Sequence, residues 1–212
     1  LHGKELSALQ ATLGMVAYID SGVGEIMRTI EETGGADRTI VIFTTDHGEL
    51  HGHHGLWHKG LFAYEDNQRI PLLVWGPGRV EPIGTSQALA NLVDLPVTML
   101  EEAGIPAPQG MQGTELQPVL RGEADSVQNA TVVELEATQR IYQQTLITDR
   151  HKLVMYRELD AGELYDLHAD PDQYRNLWDE RAYRSLRESL LQELIRTRMR
   201  TERRAQPRRS FA

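Results

Sequence analysis

The sequence contains no cysteine. Within these 212 residues this excludes disulfide bonds, thiolate metal sites and a nucleophile made from cysteine. Apolar runs are short as well: none approaches the roughly 20 residues that a helix needs to cross a bilayer, so we expect no membrane span. Three common signatures are also missing, namely the Gly-rich phosphate cradle, the G-x-S-x-G elbow and the dinucleotide fingerprint.

Positive charge is scarce outside the carboxyl terminus. The net charge is −9, although residues 196–209 hold seven arginines and only one acidic residue. That leaves 15 basic and 30 acidic residues elsewhere. An acidic body argues against a nucleic-acid-binding protein. The arginines suit the carboxyl end of a solvated helix, where cations are favoured.

The most informative stretch is 39–77. It opens with the apolar and β-branched run 39–45 and closes with a second such run at 70–75. Both runs are typical of strands buried on both faces. Between them lies a loop that holds five of the eight histidines of the chain. Asp46 and His47 stand at its start, just after the first predicted strand, where open α/β sheets place their ligands.

The loop offers three kinds of chemistry. Asp46 and His47 supply a carboxylate and an imidazole, which together can hold a divalent cation. Lys59 supplies a fixed ammonium that could stabilise negative charge on a transferred group. His58, its neighbour, is the best candidate for a general acid. The remaining histidines, His51, His53 and His54, could form a separate metal site or could support the loop.

The order of predicted elements is α/β, with a change of pattern near residue 125. The amino-terminal helix has one apolar stripe interrupted by Asp20, and Gly34-Gly35 ends it. A second helix spans 91–103 and a short one lies at 116–120. Beyond 130 come four short strands at regular spacing, which indicate an antiparallel sheet, and then a helix over 179–204. We therefore predict two units, 1–125 and 126–212.

Several motifs in this order resemble the sulfatase family of the alkaline-phosphatase superfamily. The first group is Asp-His-Gly-Glu after the strand, then Lys-Gly, Tyr-Glu, Arg-Ile-Pro-Leu and Gly-Pro-Gly. The second group lies further along the chain, in segments 92–106, 113–122, 148–154 and 163–171. The resemblance covers almost the whole chain and corresponds to the carboxyl-terminal portion of that family. It implies part of an alkaline-phosphatase-like sheet with flanking helices, followed by the small sheet and terminal helix.

The resemblance also implies a mechanism that this chain cannot complete by itself. It makes Asp46 and His47 ligands of a divalent metal, calcium first, with manganese or magnesium as alternatives. It makes Lys59 a contact to the sulfate of a small-molecule or glycan sulfate ester. The family's nucleophile motif, Cys or Ser followed by x-Pro-x-Arg, does not occur here. We therefore expect the formylglycine nucleophile outside this chain, on an amino-terminal half that was lost or separated, and we expect the isolated chain to be inactive.

Two other functions stay open at this point. Many sulfatases have asparagine where His47 stands, and histidine there is closer to phosphonate monoester hydrolases and related phosphodiester hydrolases. The second alternative is a non-catalytic module that binds metal through the histidine-rich loop.

Overall fold

The computed structural model describes residues 3–138 and 141–201. The first element is a long helix, α1 (Gly3–Glu32). It ends as the glycine pair predicts. Gly34 adopts a left-handed φ of 65°, and the amide of Gly35 donates to the carbonyl of Ile30 at 2.8 Å. No helix in the described ranges combines the length and the apolar character that a membrane crossing requires.

Two short strands frame the histidine-rich loop. They are β1 (Val41–Thr44) and β2 (Leu72–Trp75), and they pair antiparallel with Val41 opposite Trp75. Between them the chain forms a single helical turn, α2 (Glu65–Gln68). After β2 come α3 (Asp94–Glu102) and α4 (Gln117–Leu120). β1, β2, α3 and α4 lie inside the segments predicted for them, so the helix–strand–loop–strand order is confirmed. The turn α2 was not predicted.

The second half of the chain is an antiparallel sheet. Its strands are β3 (Ala130–Thr138), β4 (Ile141–Thr148), β5 (His151–Tyr156) and β6 (Gly162–Asp166), and they pair in chain order. A helix, α5 (Arg184–Thr201), packs on the sheet. The four strands and the presence of a final helix confirm the prediction. The helix begins at Arg184 rather than at 179, after a short 3-10 turn over Arg181–Tyr183, and residues 202–204 of the expected helix lie outside the described residues.

The best-formed core lies between this sheet and α5. Leu146, Leu153 and Leu164 come from three neighbouring strands and are fully buried. Leu190 and Leu194 of α5 pack against them, as the spacing predicts. Ile195, the next residue along α5, is 59% exposed. Its neighbour Leu194 already occupies the inward position on that turn.

Two expectations about burial are wrong for this chain. The apolar stripe of α1 is largely uncovered, with Leu13 and Val16 more than half exposed, and Asp20 on the same helix is exposed rather than buried. The strands that frame the loop are not buried on both faces either, since Leu73 of β2 is 59% exposed. The described part of the chain supplies no layer that covers these faces. The described residues therefore do not provide the burial that these apolar patterns predict.

Candidate active site

The site begins where β1 ends. Asp46 and His47 lie two and three residues beyond Thr44, and Gly48 follows them. The amide of Gly48 donates to the carbonyl of Asn67 at 2.9 Å, which joins the end of β1 to α2. A β-carbon on Gly48 would lie 1.7 Å from the carbonyl oxygen of Asp66, well inside contact distance. Glycine is required here because two backbone segments approach each other directly.

His47 is held in one tautomer. Its Nδ1 lies 2.9 Å from the carbonyl oxygen of Gly48, and a carbonyl can only accept a hydrogen bond. Its Nε2 lies 2.9 Å from Nζ of Lys59, and an ammonium can only donate. Both contacts require the proton on Nδ1 and the lone pair on Nε2. The imidazole thus carries its proton on Nδ1, and its Nε2 lone pair accepts from Lys59.

Asp46 is available to a cation. Its side chain is 80% exposed, and Oδ2 lies 3.4 Å from Nε2 of His47. Its Oδ1 accepts from the backbone amide of His47 at 3.0 Å and from the hydroxyl of Thr45 at 3.2 Å. The hydrogen bond from the amide of His47 is the main reason that the pKa of Asp46 is lowered. The carboxylate is therefore ionised at neutral pH.

These donors fit part of a metal site. An ionised carboxylate and an imidazole lone pair lie side by side, and both suit a divalent cation. In the ranges 3–138 and 141–201 no group of three or more His, Asp or Glu side chains is arranged to hold a metal ion. Asp46 and His47 would therefore be two ligands of a larger set. A metal at His47 would take the lone pair that now accepts from Lys59.

Lys59 is placed by a residue that the sequence reasoning missed. Asn67 is 92% buried, and its Nδ2 donates to the carbonyls of Lys59, at 2.5 Å, and of Phe62, at 2.9 Å. The backbone carbonyl of Asn67 accepts from the backbone amide of Gly48. One asparagine thus bonds both parts of the site. Nothing in the local pattern distinguishes it, because a polar residue between Asp66 and Gln68 reads as an exposed turn.

The other histidines are engaged elsewhere. Nδ1 of His53 lies 2.5 Å from Oδ2 of Asp66, and Nε2 of His54 lies 2.9 Å from the carbonyl of Asp172. The ring of His54 also stacks on Tyr64 with centroids 3.9 Å apart. His51 meets the edge of Trp57. His58 is exposed with a left-handed φ of 63°, and it does not line the cavity described next.

Asp46, His47 and Lys59 open into a cavity of about 350 Å³. Its opposite wall comes from the small sheet and includes Thr131, Glu134 and Gln143. A larger groove of about 1050 Å³ runs along β2 and segment 80–92 but contains none of the three residues. Size alone does not identify a site. We take the smaller cavity as the candidate because the polar side chains of Asp46, His47 and Lys59 converge on it.

Comparison with known families identifies the family of the chain. Residues 52–200 match the family described as N-sulphoglucosamine sulphohydrolase, C-terminal. The chain belongs to the sulfatase family. Its matching region is the carboxyl-terminal portion, as the sequence motifs predict.

Individual sulfatases agree with the family match. The N-acetylglucosamine-6-O-sulfatase of Bacteroides thetaiotaomicron is 33% identical over 195 residues, which cover 87% of this chain and 34% of that protein. A solved structure described as a complex with its substrate D-glucosamine-2-N,6-O-disulfate is 29% identical. It aligns over 88% of this chain and 39% of its own with a TM-score of 0.81. The predicted alkaline-phosphatase-like fold is confirmed.

Phosphonate monoester hydrolases are among the similar structures as well. The phosphonate monoester hydrolase of Silicibacter pomeroyi shares 26% identity, and the alignment covers 88% of this chain and 40% of that enzyme with a TM-score of 0.79.

The chain spans about a third of the length of the curated N-acetylglucosamine-6-O-sulfatase that it matches. The division into units 1–125 and 126–212 stays a prediction.

Proposed function

We propose that this chain is the carboxyl-terminal portion of a metal-dependent hydrolase of sulfuric esters, and that its substrate is a sulfated sugar. The observation that carries the proposal is the cluster of Asp46, His47 and Lys59 at the mouth of one cavity. The sugar substrate is suggested by the similar proteins, one an N-acetylglucosamine-6-O-sulfatase and one solved with a sulfated glucosamine.

Each residue has a distinct role in this proposal. Asp46 and His47 hold a divalent cation, calcium in the first place and manganese or magnesium as alternatives, through carboxylate oxygen and imidazole Nε2. When bound, the cation polarises the ester oxygens and favours an anionic nucleophile. Lys59 donates to the sulfate oxygens, where negative charge grows as the ester bond breaks. A cation held by Nε2 of His47 would take the lone pair that Lys59 now contacts, and the ammonium of Lys59 would then be able to donate to the sulfate.

The remaining parts of the reaction come from outside these 212 residues. A formylglycine nucleophile needs a Cys or Ser in the family motif, and the sequence has none. The exposed apolar side chains of α1 and β2 support the same conclusion, because they offer a surface on which the remaining sulfatase polypeptide can pack. We expect the isolated chain to hydrolyse no sulfate ester. Turnover by the pure chain would contradict this.

His58 has less support than Lys59 as a catalytic residue. It is exposed and lies outside the lining of the cavity. It stays a candidate general acid for the leaving group, to be tested by His58→Gln in the full-length protein. A loss that is larger for poor leaving groups than for good ones would support that role. An equal effect on both would assign His58 to the loop structure.

A phosphodiester or phosphonate monoester substrate is the second candidate. It is favoured by His47 and by the similarity to a phosphonate monoester hydrolase. The two functions are separated by comparing the full-length protein on an aryl sulfate and on the matched aryl phosphodiester. A higher kcat/KM for the sulfate supports the first proposal, and a large preference for the phosphodiester would replace it with the second.

A non-catalytic metal module has weaker support. One ring nitrogen of His53 contacts Asp66 and one of His54 contacts the carbonyl of Asp172. Among the described residues these histidines belong to no group of three or more side chains that could hold a metal ion. Calorimetry on Asp46→Ala and on the triple alanine variant of His51, His53 and His54 tests the module. Metal binding that is lost only in the triple variant would favour it.

A further inference from the structure

A buried lysine joins the small sheet to the candidate site. Lys152 lies on β5 with a side chain that is fully buried. Its Nζ lies 2.6 Å from Oε1 of Glu65 and donates to the carbonyl of Ala63 at 2.8 Å. Both partners belong to residues 59–68, which we call the Lys59 segment. A charge on the second half of the chain therefore contacts the segment that carries Lys59.

The Lys59 segment passes this contact on to the site. Beyond Glu65, Asn67 donates to the carbonyl of Lys59 and accepts from the amide of Gly48. Gly48 directly follows His47, whose Nε2 accepts from Lys59. Starting at Lys152, every step to Lys59 and His47 is a hydrogen bond, an ion pair or a short stretch of backbone.

Two neutral contacts accompany the ion pair. The amide of Glu65 donates to Oε1 of Gln173 at 2.7 Å, and Nε2 of Gln68 lies 3.3 Å from the hydroxyl of Thr145. The small sheet and the loop after it therefore contact the Lys59 segment at several points, which also include the rings of Tyr64 and Tyr165. The ion pair of Lys152 and Glu65 is the charged one of these contacts.

Stability alone is a poor explanation for this ion pair. Burial lowers the pKa of Lys152, while Glu65, and more weakly Glu163 and Asp66, act in the opposite direction. The desolvation of a buried pair commonly cancels most of its attraction, and well-packed apolar residues are often as stable. An apolar pair, however, makes no directional hydrogen bonds and so does not fix the orientation of its partners. An ammonium between a carboxylate and a carbonyl fixes both of them in position.

We propose that Lys152 is a positioning residue, which holds the Lys59 segment through Ala63 and Glu65 and thereby places Lys59 against His47. The inference deepens the proposed function and rests on it. It assigns the small sheet a role in the alignment of the site, in addition to forming one wall of the cavity.

The first test measures position without any need for activity. Amide hydrogen exchange of Gly48 reports the hydrogen bond to Asn67, and the amide of Leu146 in the sheet core serves as a reference. In full-length Lys152→Met we expect exchange at Gly48 to rise about tenfold more than at Leu146, because local opening is separable from global unfolding. An equal rise at both amides would mean a general loss of stability and would overturn the proposal.

The matched control breaks another ion pair of the same sheet. Arg150 pairs with Asp166 at 2.7 Å, and neither residue contacts the Lys59 segment. We expect Arg150→Gln to leave the ratio of Gly48 to Leu146 exchange unchanged. If Lys152→Met does not fold, the double variant Lys152→Met/Glu65→Leu is used instead. It removes both charges together and leaves no unpaired charge in the interior. A normal exchange ratio in that variant would equally overturn the proposal.

Kinetics provide the second readout. In full-length Lys152→Met we expect kcat on a sulfate ester to fall by about 10- to 100-fold with little change in KM. The reason is that a misplaced Lys59 stabilises the transition state less well but changes substrate binding little. A rise in KM alone, or an unchanged kcat, would contradict a positioning role. If the wild-type protein hydrolyses no sulfate ester, the proposed function fails, while the exchange ratio still decides the role of Lys152.

Discussion

Nζ of Lys59 lies 2.9 Å from Nε2 of His47, twelve residues away along the chain. The contact fixes the tautomer of the imidazole and occupies the lone pair that a metal would use. It also means that the proposed sulfate contact and the proposed metal ligand are bonded to each other before either ligand arrives. Metal binding at His47 must break this hydrogen bond.

Metal affinity is therefore expected to change in opposite directions in two variants of the full-length protein. Asp46→Asn removes a ligand and is expected to weaken calcium or manganese binding by at least about tenfold. Lys59→Met removes a competing cation and is expected to strengthen binding a few-fold, since a unit charge about 4 Å away contributes roughly 1 kcal/mol even in water. Titration calorimetry measures both.

The control for the metal titration is Asp37→Asn, which removes an exposed carboxylate from the turn before β1. We expect its affinity to match that of the wild type. Equal affinities in the wild type and in Asp46→Asn would remove Asp46 from the ligand set.

The close approach at Gly48 predicts a selective loss of stability. Gly48→Ala places a β-carbon 1.7 Å from the carbonyl oxygen of Asp66, so either β1 or α2 has to move. Overpacking that forces the backbone to shift typically costs about 1–3 kcal/mol. Thermal unfolding should show a clear fall in Tm together with loss of activity.

A second glycine provides the control for this substitution. Gly24 lies within α1, and a β-carbon there meets no atom within 4 Å. Gly24→Ala is expected to be neutral or to stabilise by about 0.5–1 kcal/mol, because alanine loses less backbone freedom in a helix. A Gly48→Ala protein as stable and active as Gly24→Ala would refute the close approach.

The pair Arg150–Asp166 predicts an acid-sensitive contribution to stability. The guanidinium of Arg150, helped by the amides of His168 and Ala169, lowers the pKa of Asp166 from the usual 3.8 to about 2. Between these values the unfolded chain binds more protons than the folded one. The contribution of Asp166 is thus complete above pH 3.8 and is lost as the pH falls through 2.

Denaturant titrations at several pH values check this sign. Arg150→Gln should unfold more easily at neutral pH and should lose less stability than the wild type between about pH 4 and pH 2, since the carboxyl pKa is then nearer to its usual value. Identical pH profiles of the two proteins would show that the ion pair has no role in acid stability.

The sequence predicted the elements and their order well, for physical reasons. Local periodicity places the sheet strands and α5, and Gly34 and Gly104 adopt left-handed φ values at the predicted helix ends. The run Asp46-His47 stands out because two ligand types follow a strand directly. These features depend on residues close together in the chain.

The features that the sequence did not predict depend on distant contacts. The partner of Glu65 is Lys152, which lies far along the chain on β5 of the small sheet. Lys152 gives no signal of burial, because a lysine in a short strand reads as a solvent-facing position. Asn67 is hidden in the same way within a polar turn. The exposed faces of α1 and β2 were unpredictable for the opposite reason, since their apolar pattern does not say which polypeptide covers them.

The most direct test of the account is kcat/KM for an aryl sulfate in the full-length protein, measured for the wild type, Lys59→Met and Arg69→Met. Arg69 is an exposed cation outside the cluster and serves as the charge-matched control. We predict a loss of about 100-fold or more in Lys59→Met, typical of removing a group that stabilises developing charge, and little change in Arg69→Met. Equal activity of Lys59→Met and the wild type would contradict the central claim that Asp46, His47 and Lys59 form the catalytic site.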